Sequence, residues 1–255
     1  MEVDRKTFAA GPGSKAAALS SEERADALEE SMMRQLDKAS AQVRRGTGVL
    51  FGGLTPGGLP LAQGALAAMP PKPTIVDFFK LRFMPHTVTH MLQSATDAMK
   101  KGEPEDVVLA CLLHDIAINL LKVDHGYWAA QMLEPYVPEN VSWAIRHHQA
   151  LRFFADPAAG YEYPQRYVQI FGEGYQPEPY IKAAYEQARK HKWYMEARMI
   201  TVHDLYAFQP GVSVSIDPFV DIIGRNFKQP KEGLGYDGSP VAHMWRTLIY
   251  PDNPL

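Results

Sequence analysis

The chain has 255 residues, a formal charge of −3, nine histidines and a single cysteine, Cys111. One folded domain with appendages is expected at that length, without need of a disulfide or a structural metal. One cysteine excludes a thiolate zinc knot and leaves His and carboxylate as the ligands of any metal, while a pI near 6.3 without a cationic cluster excludes nucleic-acid and polybasic membrane binding.

The start, Met1-Glu2-Val3-Asp4, lacks the cationic and apolar run of a secretory leader, so a cytoplasmic protein is expected. Residues 1–19, rich in Ala, Gly, Ser and Lys, read as a loose arm. From Ser21 an apolar stripe at helical spacing, Leu28, Met32, Met33, Leu36 and Ala39, predicts a helix. Residues 46–73 form a Gly/Pro-rich connector, and its stretch from Thr47 to Met69 is too interrupted to cross a bilayer. Three or four helices are expected between Thr74 and Phe154, with breaks near Pro85, Gly102-Glu103-Pro104, Gly126 and Pro135 to Pro138. An aromatic, Pro-rich loop follows from Asp156 to Pro179, then a helix from about Glu178 to Phe208. Beyond Pro210-Gly211 only a short helix near Pro218 to Asn226 is expected. The fold class is therefore all-α, with residues 1–73 as arm, helix and connector and residues 74–255 as the main domain with a C-terminal extension.

The chemistry-bearing signal is the dipeptide His114-Asp115 at the end of the apolar run through Cys111-Leu112-Leu113. Adjacent helical residues point about 100° apart, so the pair can serve one metal only where its helix lines a cavity. His90 stands 24 residues upstream, His125 lies 11 downstream, His147-His148 follow, and Asp204 closes the series in Val202-His203-Asp204-Leu205-Tyr206. Glu196, just over two helical turns from Asp204, competes with it as the late carboxylate.

This order of His, His-Asp, His, His and late Asp resembles the HD-domain superfamily. It is most similar to the mixed-valence diiron oxygenase branch, the myo-inositol oxygenase and phosphonate oxygenase type. The His90 to His114 interval, the Asp204-Leu205-Tyr206 tripeptide and the later Pro210-Gly211 carry that likeness over residues 80–226. The resemblance implies an all-α HD-domain bundle with His90, His114, Asp115, His125, His147 and Asp204 as metal ligands, Asp115 bridging two ions. Asp124 is the alternative to His125, because the interval from His114-Asp115 is shorter than in the oxygenases. His148 and His86 are then the candidate catalytic acid, base or ligand-orienting groups.

The implied cofactor is two iron ions, with manganese or zinc suiting the same donors. The implied activity is oxygenation or cleavage of a small hydroxylated organic substrate by dioxygen. A metal-dependent hydrolase or hydratase is the alternative, since Leu112 to Ala117 also resembles cyanamide hydratases and most HD proteins resemble phosphohydrolases. Partners are a small-molecule substrate and dioxygen, with no nucleic acid and no membrane; a homo-oligomer is compatible with the sequence. Ile118 and Leu151 stand where the oxygenases carry cationic groups, so loss of a phosphonate subsite is expected. Leu151, Phe153, Phe154 and Trp193 instead predict a more apolar or aromatic ligand. Cys111 reads as core.

Overall fold

The computed structural model describes residues 67–118, 120–121, 124–205, 207, 209 and 211–250. The expected arm, the helix from Ser21 and the connector up to residue 66 lie outside the described residues, as do Tyr206, Phe208, Pro210 and residues 251–255. Among the described residues there are ten α-helices and no strand, so the architecture is all-α. They are α1 (Ile75–Leu81), α2 (Pro85–Lys100), α3 (Glu105–Leu113), α4 (His125–Leu133), α5 (Glu139–Leu151), α6 (Gln165–Phe171), α7 (Pro179–Ala188), α8 (Tyr194–Leu205), α9 (Val220–Asn226) and α10 (Ala242–Ile249). None is long and apolar enough to cross a membrane.

Local chemistry explains most of the boundaries. Thr74 and Asp77 form a capping box that starts α1, the Thr hydroxyl accepting from the Asp77 amide at 3.3 Å and the Asp carboxylate accepting from the Thr74 amide at 2.8 Å. Pro85, expected as a break, instead opens α2 as its first residue, where a missing N–H costs nothing. Gly126 likewise lies inside α4. The long helix expected from Glu178 to Phe208 is two, α7 and α8, turned between them where the His191 ring accepts from the Trp193 amide at 3.3 Å. The aromatic loop also holds a short helix, α6.

At the centre lies α3, whose residues Val107 to Leu113 are all buried. A helix apolar on every side has to be enclosed on every side, and α2, α5, α8 and α9 pack around it. Arg198 of α8 is fully buried and donates to Leu151 O at 3.0 Å and Phe154 O at 3.1 Å. It thereby satisfies carbonyls at the end of α5 that have no partner within the helix.

The C-terminal region holds a second departure from the sequence reading. Residues 242–249, expected to be irregular, form α10, which buries Trp245, Leu248 and Ile249. Trp245 donates its indole N–H to Met132 O at 3.0 Å and sets its ring edge-on to Phe78 at 4.9 Å. The preceding tail packs against the core as well. It seals the end of the core: Leu234 N–H bonds to Pro73 O at 2.8 Å, and Gly233, at φ +96°, passes so close to Lys72 and Pro73 that a Cβ there would lie 2.6 Å from backbone.

Candidate metal centre

Four helices and one turn deliver the clustered side chains. α3 ends at Leu113, and His114 and Asp115 occupy the turn after it. α2 supplies His90, α4 supplies His125 from its first position, α5 supplies His148, and α8 supplies Asp204 from its last turn. All six residues are buried.

His90 Nε2 lies 3.3 Å from His114 Nε2, 3.0 Å from Asp204 Oδ1 and 3.5 Å from Asp115 Oδ2. The other oxygen of Asp115 lies 3.5 Å from His114 Nε2, 3.0 Å from His125 Nε2 and 3.8 Å from His148 Nε2. An ion with bonds of about 2.1 Å spaces neighbouring ligand atoms roughly 3.0–3.4 Å apart, close to these separations. Two groups, His90 with His114 and Asp204, and His114 with Asp115 and His148, have all their donor atoms within 4.8 Å of one another.

The outer nitrogens prepare three of the histidines for this task. His90 Nδ1 faces Ala207 O at 3.2 Å, His114 Nδ1 faces Cys111 O at 2.8 Å and His148 Nδ1 faces Ile145 O at 2.6 Å. A carbonyl only accepts, so each Nδ1 carries the proton and each Nε2 presents a lone pair to the cluster. His148 Nε2 is fully buried and makes no hydrogen bond among the described residues, as expected of a nitrogen meant for an ion. The donor set therefore fits a His/carboxylate-ligated metal.

Electrostatics agree. Burial pushes the Asp115 carboxyl up, but the imidazoles of His114, His125 and His148 outweigh it and hold the group well below the usual carboxylate range. Asp204 is pushed up by burial and pulled further down by the Arg152 guanidinium and by His90. Burial keeps His148 neutral, with its pKa lowered to about 3. His90 moves the other way: burial lowers it, yet the bond to Asp204 and the nearby Asp115 raise it overall.

His147, expected as a ligand, is not brought to the cluster. It faces the other side of α5, its ring 4.3 Å from Trp143, and lines a separate cavity with Arg146 and Phe153. Neighbouring helical residues diverge by about 100°, so only one of the pair can face the centre, and that one is His148. Asp124 is exposed and lines that same outer cavity; Glu196 is absent from the donor groups. His203 turns away from Asp204, with Nδ1 2.7 Å from Asp97 and Nε2 3.2 Å from Glu103. His86 is exposed and stands one turn before His90 on the wall of the central cavity.

That cavity has a volume of about 850 Å³ and is lined by His90, Asp115 and His125 together with Arg152, Ile118 and Gln93 among others. Arg152 corrects the expectation of an uncharged pocket. Its Nη1 lies 3.2 Å from Asp204 Oδ2 and its guanidinium 5.3 Å from the Tyr167 ring. Leu151 belongs to the core, Phe154 stacks on Tyr185 at 3.9 Å, Trp193 adjoins His191, and Phe153 lines the outer cavity, so none of the four expected ligand-contacting residues lines this one. The signal for Arg152 was available: once His148 is the donor, the residue one turn on along the same face is 152.

Comparison with known proteins places these features. Residues 87–164 match the HD domain, a span that contains five of the six clustered residues and leaves out Asp204. HD-domain proteins are typically metal-dependent enzymes. Over 74 residues the chain is 32% identical to a 1-hydroxy-2-(trimethylamino)ethylphosphonate dioxygenase, glycine-betaine-forming, of Leisingera caerulea; the aligned stretch is 25% of this chain and 38% of that relative.

Proposed function

We propose that the HD domain of this chain is a two-iron oxygenase that takes a small hydroxylated organic anion and dioxygen as substrates. One observation carries the reading: Arg152, ion-paired with Asp204, lines the same cavity as the donors His90, Asp115 and His125, so a cationic group adjoins the candidate metal site. His90, His114, Asp115 and Asp204 would hold one ion, and Asp115, His125 and His148 the other, with the two oxygens of Asp115 turned toward different histidines. Iron held there supplies the one-electron chemistry of dioxygen that side chains lack, and manganese or zinc suits the same donors.

The chain's own residues do the rest. Arg152, always charged, offers a planar fork to the anionic end of the substrate and orients it beside the donors. A buried anion without such a partner would be strongly disfavoured. The carbonyl-bonded Nδ1 atoms of His90, His114 and His148 keep those rings from rotating. His86, on the cavity wall, is the group placed to carry a proton, a role His148 would lose as a metal ligand. The relative's substrate, by its name, joins a hydroxyl to a phosphonate, a combination that a metal pair beside an arginine suits.

The test is metal analysis of anaerobically purified protein, then EPR of the partly oxidised iron form and oxygen uptake with hydroxyalkylphosphonates and hydroxy acids. Two irons per chain, a coupled-spin signal and substrate-dependent uptake are expected. The same Arg152 favours a second reading, hydrolysis of a phosphoester, in which it would steady the phosphoryl oxygens. One zinc per chain with phosphoester turnover in the absence of oxygen would establish that reading and overturn the first.

A further inference from the structure

Part of the wall of the central cavity comes from residues that follow α8, and the side chain of Gln93 helps to hold it. Ala207, Gln209, Gly211 and Val212 follow the end of α8 and line the cavity. A loop in such a place needs partners for its main-chain polar groups. Gln93 provides them. Its Oε1 accepts from Gln209 N–H at 2.8 Å, and its Nε2 donates to Gln209 O at 2.9 Å and to Val212 O at 3.0 Å. Both amide hydrogens are used, and Gln93 itself is buried and borders the cavity. One turn earlier on the same helix, His90 Nδ1 donates to Ala207 O at 3.2 Å.

We propose that Gln93 is a positioning residue for substrate recognition: it fixes Gln209 and Val212 as a wall of the substrate cavity, on the helix that also presents His90. The proposal rests on the functional reading above in taking the cavity as the substrate site. The chemistry is specific to an amide. An apolar residue of equal length fills the space and makes none of the three bonds, and a carboxylate would set charge against two carbonyls. With the bonds gone, the Gln209 amide is left to solvent and the wall no longer meets a bound substrate in one geometry.

The test uses the metal-loaded full chain, with 2-hydroxyethylphosphonate as probe, and compares wild type with Gln93→Met and Arg152→Met. Three quantities are read: metal content, probe affinity by calorimetry, and hydrogen exchange of the Gln209 amide. Gln93→Met is expected to keep the wild-type metal content while probe affinity falls at least about tenfold and Gln209 exchange rises at least about tenfold. Arg152→Met is expected to lose probe affinity with Gln209 exchange unchanged, which separates loss of a contact from loss of position. Affinity within twofold of wild type in Gln93→Met would overturn the proposal, as would unchanged exchange or loss of metal together with affinity. Failure of the wild type to bind the probe would overturn the anionic-substrate reading instead, and Gln209 exchange in Gln93→Met would still decide the clamp.

Discussion

Gly126 stands where two helices of the candidate metal centre touch, and replacing it with alanine tests how closely the proposed second ion site depends on that contact. A Cβ built there would lie 2.7 Å from Ile145 O, 3.0 Å from His148 Cε1 and 3.1 Å from His148 Nδ1. The first approach is about 0.7 Å inside an ordinary van der Waals contact and falls on backbone, which cannot swing away. It also falls on the carbonyl that holds His148 Nδ1 at 2.6 Å, so α4 and α5 can separate only by moving the His148 ring. Metal–ligand distances tolerate about 0.2 Å, a third or less of that displacement. Overpacking of this kind costs about 1–3 kcal/mol, or roughly 3–10 °C in melting temperature for a domain of this size. On the proposed function, Gly126→Ala is therefore expected to lose the ion that His125 and His148 would hold while keeping the one that His90 and Asp204 would hold. The assay is iron content after anaerobic loading and desalting, beside calorimetry, with Gly224→Ala as control because nothing lies within 4 Å of a Cβ there. Wild-type iron content together with a melting temperature within about 1 °C would refute the reasoning.

Three further outcomes are expected. His148→Ala should lower metal content, whereas His147→Ala should leave it unchanged; the reverse pattern, measured by elemental analysis, would restore the ligand expected from the sequence. In the metal-free protein the folded-state pKa of His148 is lowered to about 3, below its unfolded value of about 6.5, so the unfolded chain takes the proton first. That contribution is present in full above about pH 6.5 and is lost as pH falls toward the folded value, by at most about 1.4 kcal/mol per pH unit; urea unfolding of chelated protein at pH 7.5 and 5.5 measures it, and His148→Met should show a shallower dependence. Trp245→Ala should cost about 3–5 kcal/mol, read as a shifted denaturation midpoint with metal content unchanged in the folded protein.

The all-α class, the His-Asp turn and the late carboxylate were legible because each rests on local pattern or residue order. The choice between His147 and His148 was not, since both directions across α5 look alike until the helices on either side are known. The expected loss of charge rests on matching Leu151, a core residue, to a cationic position of the oxygenases, whereas the residue one turn on from His148 is Arg152, with its ion pair to Asp204. α10 is masked in the sequence, although Trp245, Leu248 and Ile249 have helical spacing, because the flanking Gly and Pro residues dominate that stretch. Gln93 bears no sequence signal at all: its importance lies in main-chain groups 116 and 119 residues away.

The three imidazoles anchored through Cys111 O, Ile145 O and Ala207 O depend on peptide oxygens, which every amino acid supplies. Side chains at those three positions are thus free to change by mutation without altering which ring nitrogen is protonated. Only a shift of backbone would do so. Substitution at these three positions is accordingly insulated from the tautomer of the rings, and the thiol of Cys111, buried in the core, is dispensable to the ring that its own carbonyl orients.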